Sequence, residues 1–357
     1  MTPALAVEIP KLTDSWTTTD FQIYTPTEGF NNDPIYPVIY QFTGQDGEAF
    51  IGVQSFYDSE YDQNLTEVFS GVFSPDGLTF EIDNEGSGIS FGETVSENEL
   101  YIFTLLPERD LMILVFHLVK DGTMASPTEK VPDLIGTWNL SHHRKNSSSS
   151  TGLLTIEEQQ DRIWVGTERI QDEDGTMIEI PIAGTIGDNG KLYATTENGA
   201  FMIGSITGNN SIQSVLIIPG DTDGTHVIDR VIIKNGGSLP EQDLEFPDLE
   251  GEWKIDNRRV IQNGEISDIG PISDEWVSFT NQSGKFFNAV RHNQTAESTF
   301  DTEKTGIFYD VDEAFVTGPD SSIEIFYVMD NSTLKGIVNM KDNNALLYQD
   351  TLSRKDE

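Results

Sequence analysis

The sequence predicts an all-β protein of three tandem, roughly eight-stranded, antiparallel up-and-down β-barrels. Three observations carry this. Nearly the same heptad is written twice, "PDLIGTW" at 132–138 and "PDLEGEW" at 247–253, with a weaker copy, "PKLTDSW", at 10–16. Asp-Gly or Asn-Gly pairs begin at Asp46, Asp76, Asp121, Asp174, Asn189, Asn198, Asp223, Asn235 and Asn263, between short runs rich in Ile, Val, Phe and Thr; such pairs accept positive φ and favour tight hairpins. No long stretch has the 3.6-residue period with the start and stop signals of a helix.

Anchored on Trp16, Trp138 and Trp253, the repeats are 122 and 115 residues long. That is the size of a domain and too long for a solenoid unit. Each tryptophan is followed by an aromatic strand: "EAFIGVQSF" at 48–56, "RIWVGTERI" at 162–170, "KFFNAVRH" at 285–292. A strand around a glycine comes next, "VFSGVF" at 68–73, "IPIAGTI" at 180–186 and "EKTGIFY" at 303–309. Then an apolar strand, "ELYIFTLL" at 99–106, "SIQSVLII" at 211–218 and "SIEIFYVM" at 322–329. Up-and-down strands of this number must hide their sheet edges, and closure into a barrel does so. Linkers rich in Pro, Gly and polar residues fall at 125–133 and 236–248, placing the domains at 1–126, 127–240 and 241–357, the first the most divergent. Tandem barrels on short linkers are expected to form a stiff rod.

Gly136-Thr137-Trp138 and Gly251-Glu252-Trp253, each opening an eight-strand unit, resemble the Gly-x-Trp of the lipocalin and avidin-like (calycin-type) barrels. The resemblance implies that the indole plugs one barrel end and that a basic side chain from the last strand packs across it, a cation–π contact. On that basis Trp16, Trp138 and Trp253 close their barrels, with Arg230 as the cation of the second and Arg354 or Lys355 of the third. The first unit offers only Lys120, and Asp14 stands where the glycine belongs. The avidin-like ligand box is not recognisable, so no ligand-binding residue is carried over.

Composition narrows the function. The 357 residues hold 60 Asp plus Glu against 21 Lys plus Arg, a formal net charge of −39. Nucleic acid and anionic membranes are poor partners for such a chain. There is no cysteine, which removes disulfides and thiolate metal sites. No run approaches 18 apolar residues, so no transmembrane segment is expected. Ala4-Leu5-Ala6 has the small-x-small pattern of a leader remnant. Asn-x-Ser/Thr sequons at Asn64, Asn139, Asn146, Asn209, Asn281, Asn293 and Asn331 are glycosylation candidates.

Sites of chemistry are few. "GISFG" at 88–92 centres Gly-x-Ser-x-Gly on Ser90, but the nucleophile elbow needs a helix behind the serine, and His117 has no reason to face it. The histidines are His117, His142, His143, His226 and His292; adjacent His142 and His143 point to opposite faces of a strand. Asp172 and Asp174, and Asp221 and Asp223, sit in acidic turns with hard oxygen ligands for Ca²⁺ but without the EF-hand frame. No cofactor is expected. The reading is therefore a non-enzymatic extracellular or cell-surface protein for adhesion or assembly, partnered by a surface component or by itself. The alternative is a small apolar ligand held inside a barrel. Bulky side chains filling every layer favour the first, and small residues around a hole the second. An enzyme on a lipocalin-like scaffold requires paired polar residues facing inward in one unit and missing from the others.

Overall fold

In the computed structural model the described residues are 9–31, 38–58, 62–84, 89–107, 111–126, 130–145, 149–171, 175–208, 210–218, 226–234, 244–295, 298–318, 322–339 and 346–355. Their regular structure is entirely β. The first barrel contains β1 (Asp14–Thr25), β2 (Gly29–Asn31), β3 (Ile39–Asp46), β4 (Ala49–Asp58), β5 (Gln63–Phe73), β6 (Thr79–Asn84), β7 (Ile89–Ser96), β8 (Glu99–Leu106) and β9 (Met112–Lys120). The second contains β10 (Gly136–Arg144), β11 (Ser150–Gln160), β12 (Ile163–Gln171), β13 (Met177–Ile186), β14 (Lys191–Thr196), β15 (Phe201–Gly208), β16 (Ser211–Ile218) and β17 (His226–Lys234). The third contains β18 (Gly251–Gln262), β19 (Glu265–Ser283), β20 (Phe286–Gln294), β21 (Thr299–Phe308), β22 (Glu313–Thr317), β23 (Ile323–Asp330), β24 (Thr333–Asn339) and β25 (Leu347–Arg354).

Every pairing is antiparallel; apart from β1–β3, which skips short β2, strands pair with sequence neighbours, and each sheet closes first strand on last: β1 on β9, β10 on β17, β18 on β25. Short β2 is a hairpin extension of β1. Gly47, Gly77, Gly122, Gly175, Gly190, Gly199 and Gly264 all have positive φ; six of these turns join hairpin strands, Asp121-Gly122 instead leads from β9 into the linker, and the pairs at Asp223 and Asn235 lie outside the described residues. The repeated strand glycine has a packing reason. Phe50, Trp164 and Phe287 lie opposite Gly71, Gly184 and Gly306 in the ladders. A Cβ at Gly306 would stand 2.1 Å from the Phe287 ring, and one at Gly184 2.6 Å from Trp164.

The barrels do not form a rod. Each touches both others around a pseudo-three-fold centre. Between the first and second, Phe91 stacks on Tyr193 at 4.6 Å and the Arg162 guanidinium lies 4.0 Å over the Tyr101 ring. Between the second and third, Lys285 pairs with Asp229 at 2.8 Å and Lys191 with Glu313 at 3.5 Å. Between the third and first, Arg259 pairs with Asp46 at 3.3 Å and Lys335 with Glu48. One apolar cluster draws Phe91, Phe103, Tyr193, Ile203, Phe315 and Ile325 from all three units. The space left at the centre, lined among others by Thr79, Lys191 and Glu313, is about 20 Å³, room for about one water. Thr79, Lys191 and Glu313 open β6, β14 and β22, and pair in register with Glu93, Ser205 and Tyr327. The rod fails because "ELYIFTLL" (β8) and "SIQSVLII" (β16), each next to the closing strand, are buried on both faces; "SIEIFYVM" is β23, one strand earlier in its barrel, and β24 holds the equivalent place. In β8 every residue is buried, whereas a strand of an isolated barrel alternates.

Candidate functional site

The repeated Pro-x-Leu-x-x-x-Trp places a buried tryptophan on the first strand of each barrel. Trp138 and Trp253 are buried, and their indole N–H groups donate to the carbonyls of Leu134 (2.8 Å) and Leu249 (2.9 Å). Trp16 is equally buried and donates to Thr13 at 3.2 Å. A glutamine clips the preceding turn in each unit. The amide oxygens of Gln45, Gln159 and Gln282 accept from Leu12, Leu134 and Leu249 N–H, and their amide nitrogens donate to the carbonyls of Pro10, Pro132 and Pro247. Sequence reasoning missed these glutamines, although Pro-x-Leu was part of the repeat and a recurring Gln near the end of the second strand was the signal. Gly136 and Gly251 both adopt φ of 129°, which explains the glycine, while Asp14 takes 74°.

The cations need one correction. Arg354 lies 5.0 Å over Trp253, but Lys234, not Arg230, lies over Trp138, at 5.2 Å. The ladder decides it: Trp138 pairs with Lys234 and Trp253 with Arg354, whereas Arg230 pairs with His142, four residues deeper. Lys120 holds the same register position opposite Trp16; its ammonium pairs with Asp14 at 3.0 Å. Lys355 lies 4.6 Å over Trp276. Two surface clefts open beside these bases, one of about 500 Å³ lined by Lys130, Asp133, Ile135, Gln159 and Arg162, the other of about 360 Å³ beside Leu12 and Gln45.

The three interiors differ in chemistry. The first is packed with aromatics, among them Tyr40, Phe42, Phe50, Phe69, Phe80 and Phe116. The second is aliphatic around Trp138 and Trp164, with Arg230 and Glu168 paired deep inside. His142 stands beside Arg230, and its Nε2 has no hydrogen-bond partner among the described residues. Burial, reinforced by Arg230, pushes the His142 imidazole down to about 3, so it is neutral at ordinary pH.

The third interior is apolar near Trp253 and ionic above it. Arg258 makes two forked contacts, to Asp350 (2.7 and 2.7 Å) and to Glu275 (2.7 and 2.8 Å). Arg291 donates to Glu324 at 2.7 and 3.2 Å and also contacts Glu275. Lys304 donates to Glu324 at 2.7 Å and to Ser322 at 2.6 Å. Three cations thus meet three carboxylates. Burial alone would raise Glu324, but Arg291 and Lys304 outweigh it and bring it down to about 2. Burial likewise opposes ionisation of Glu275, which Arg258 and Arg291 hold below the usual carboxylate range. Inward polar pairs are densest in the third barrel but are not confined to it: Arg230 pairs with Glu168 inside the second, and Gln54 donates to Glu67 at 2.7 Å in the register row of Tyr40 in the first, so the one-unit pattern set for an enzyme is not met. The chemistry of the ionic layer differs from that of a proton-transfer site: a general acid needs a carboxyl kept protonated and a base needs a free lone pair, whereas Glu275 and Glu324 are held below the usual carboxylate range by their cations and their oxygens are engaged.

The other candidates are scattered. Ser90 is buried and hydrogen-bonds Thr104 at 2.9 Å, while His117 stacks on Tyr101 at 4.5 Å. Asp172, Asp174, Asp221 and Asp223 lie outside the described residues, as do Asn146 and Asn209. Asn64, Asn139, Asn281, Asn293 and Asn331 are exposed. Among the described residues no group of three His, Asp or Glu is placed to hold a metal ion, and no helix is long and apolar enough to cross a membrane.

No family model matches this chain, and no curated protein does. Solved structures that match this chain include a protein of unknown function from the DUF3598 family of Nostoc punctiforme, at 11% identity and a TM-score of 0.25, covering 96% of each chain. Transferrin binding protein B of serogroup B Neisseria meningitidis matches at 8% identity and a TM-score of 0.24, covering 97% of this chain and 78% of that one. A mutant of the same antigen from Haemophilus parasuis matches at 9% and 0.23, covering 98% and 78%. Similarity at this level transfers neither a ligand nor a partner to this chain.

Proposed function

We propose that the chain is an extracellular or cell-surface structural protein, working in adhesion or assembly through its outer surface rather than through its barrel lumens. The observation that supports this is that all three interiors are occupied by the protein's own side chains, aromatic in the first, aliphatic in the second, and apolar below an ion-paired layer in the third. Filled barrels sharing one core make a stiff body, which suits presentation of a surface. The net charge of −39 suits a salty exterior and cationic partners.

Native mass spectrometry of protein purified from its own host tests the reading. The expected result is homo-oligomers, attached glycans or a co-purifying surface protein, with no small molecule. A stoichiometric apolar ligand retained by the folded chain overturns it in favour of binding inside a barrel.

A further inference from the structure

On the outer wall of the third barrel, three adjacent strands place Ser278 (β19), His292 (β20) and Asp301 (β21) in one hydrogen-bonded chain. Ser278 Oγ is 2.9 Å from His292 Nε2, and His292 Nδ1 is 2.7 Å from Asp301 Oδ1. The register accounts for it: His292 lies opposite Trp276 and Asp301, and Ser278 is the diagonal neighbour. Asp301, an acceptor when ionised, accepts a hydrogen bond from His292 Nδ1–H, which leaves the Nε2 lone pair facing the hydroxyl. Trp276 stacks on the imidazole at 4.7 Å with planes 16° apart and fixes its orientation. The Lys355 ammonium lies 4.6 Å over the same indole and 2.9 Å from Glu252 Oε2, and Glu252 is directly opposite Ser278 in the β18–β19 ladder. A nucleophile, a base, an orienting carboxylate and a nearby cation are therefore collected on an accessible wall. It is the order of roles that defines a serine relay on any fold.

We propose that Ser278 is a nucleophile activated by His292 and positioned through Asp301, and that it reacts with neutral, activated carboxylic esters. Ser278 Oγ attacks the carbonyl carbon while its proton passes to His292 Nε2. The C–O bond to the leaving alcohol or phenol then breaks, and that oxygen takes the proton from Nε2. The acyl-Ser278 ester is hydrolysed by water along the same route, regenerating the serine and releasing the carboxylic acid.

The surroundings set the substrate class. The backbone on both sides of Ser278 is committed to ladders with β18 and β20, so two free N–H groups of an oxyanion hole are lacking and Lys355 is the charge at hand. Such a site serves a good leaving group and not an amide. Glu252 and Asp301 repel anions, which leaves neutral esters. The inference goes beyond the structural role proposed above and does not depend on it, since it concerns a wall that the barrel interiors do not touch.

The test uses the full chain, a fluorophosphonate probe and mapping of the adduct by peptide mass spectrometry, with hydrolysis of an aryl acetate in parallel. The probe loses fluoride as the Ser278 oxygen bonds phosphorus. One adduct, on Ser278, is expected, and its rate should fall about 10²-fold in His292→Asn, the lower end of what a positioned base supplies. Asp301→Asn should slow labelling and Asp301→Glu should restore it, with the unfolding midpoints of both unchanged; slowing that the conservative variant does not rescue would mark a merely structural contact and overturn the positioning role. No adduct on wild-type Ser278, or an adduct formed at the same rate in His292→Asn or in urea-unfolded wild type, overturns the proposal.

Discussion

His142 gives the sharpest quantitative expectation. It is 4% exposed, faces Arg230 across the ladder, and its imidazole is pushed from 6.5 to about 3. The neutral ring is native and the unfolded chain binds the proton first, so stability rises with pH in this window. Below pH 6.5 the folded state loses about 1.4 kcal/mol per pH unit, and the loss levels off once pH falls below the folded value. Between pH 7.5 and pH 5 the contribution is about 2 kcal/mol. Replacing His142 by Met, a flexible apolar side chain of similar size, removes this proton site. Urea unfolding of wild type and variant at both pH values isolates it. Glu93 and Glu313, whose carboxyls burial raises, titrate in both proteins and cancel in the comparison. The wild type should lose about 2 kcal/mol more than His142→Met on acidification. Equal losses in the two proteins would show that the ring is hydrated or takes its proton in the folded barrel, and would refute the reasoning.

Three further outcomes follow from the geometry. Glu324→Gln leaves Arg291 and Lys304 buried beside a neutral acceptor, and should cost about 3–5 kcal/mol, read by denaturant unfolding; a midpoint unchanged from wild type would mean that water already enters the ionic layer. Gly306→Val puts a branched side chain into the Phe287 ring and should cost about 1–3 kcal/mol, whereas valine at an uncrowded strand position would be neutral; equal midpoints for the two would refute the packing account of the repeated glycine. Gln159→Ala strips the Leu134 N–H and the Pro132 carbonyl of their partners and should cost about 1–3 kcal/mol, with a red-shifted tryptophan emission if Trp138 loses its seat; unaltered emission and stability would show that the clip is incidental.

The fold was legible because its signals are local. A hairpin is written in a dipeptide such as Asn189-Gly190, and a strand in a few alternating residues, so the pattern of closed sheets could be read without any long-range knowledge. The setting of the tryptophans was legible only in part. Trp138 announces itself by repetition, but choosing its cation requires the register between β10 and β17, and Arg230 and Lys234 differ only by four steps along one strand. The ionic layer was not legible. Arg258 and Asp350 are 92 residues apart, and Arg291 and Glu324 33, and in a chain with 60 acids no pair stands out until the barrel closes. Association of the barrels was written in the sequence and misread: "ELYIFTLL" lacks the alternation a solvated wall needs, and that lack was the trace of a second buried face.

The contact between the first and third barrels gives the protein a distinctive response to tension. Pulling those two barrels apart does not load the covalent chain at once. The Arg259–Asp46 and Lys335–Glu48 pairs, together with the apolar surface beneath them, must shear before the second barrel is drawn into line. The expected order is that these contacts part before any ladder of backbone hydrogen bonds does, so that the molecule lengthens by turning one barrel against another.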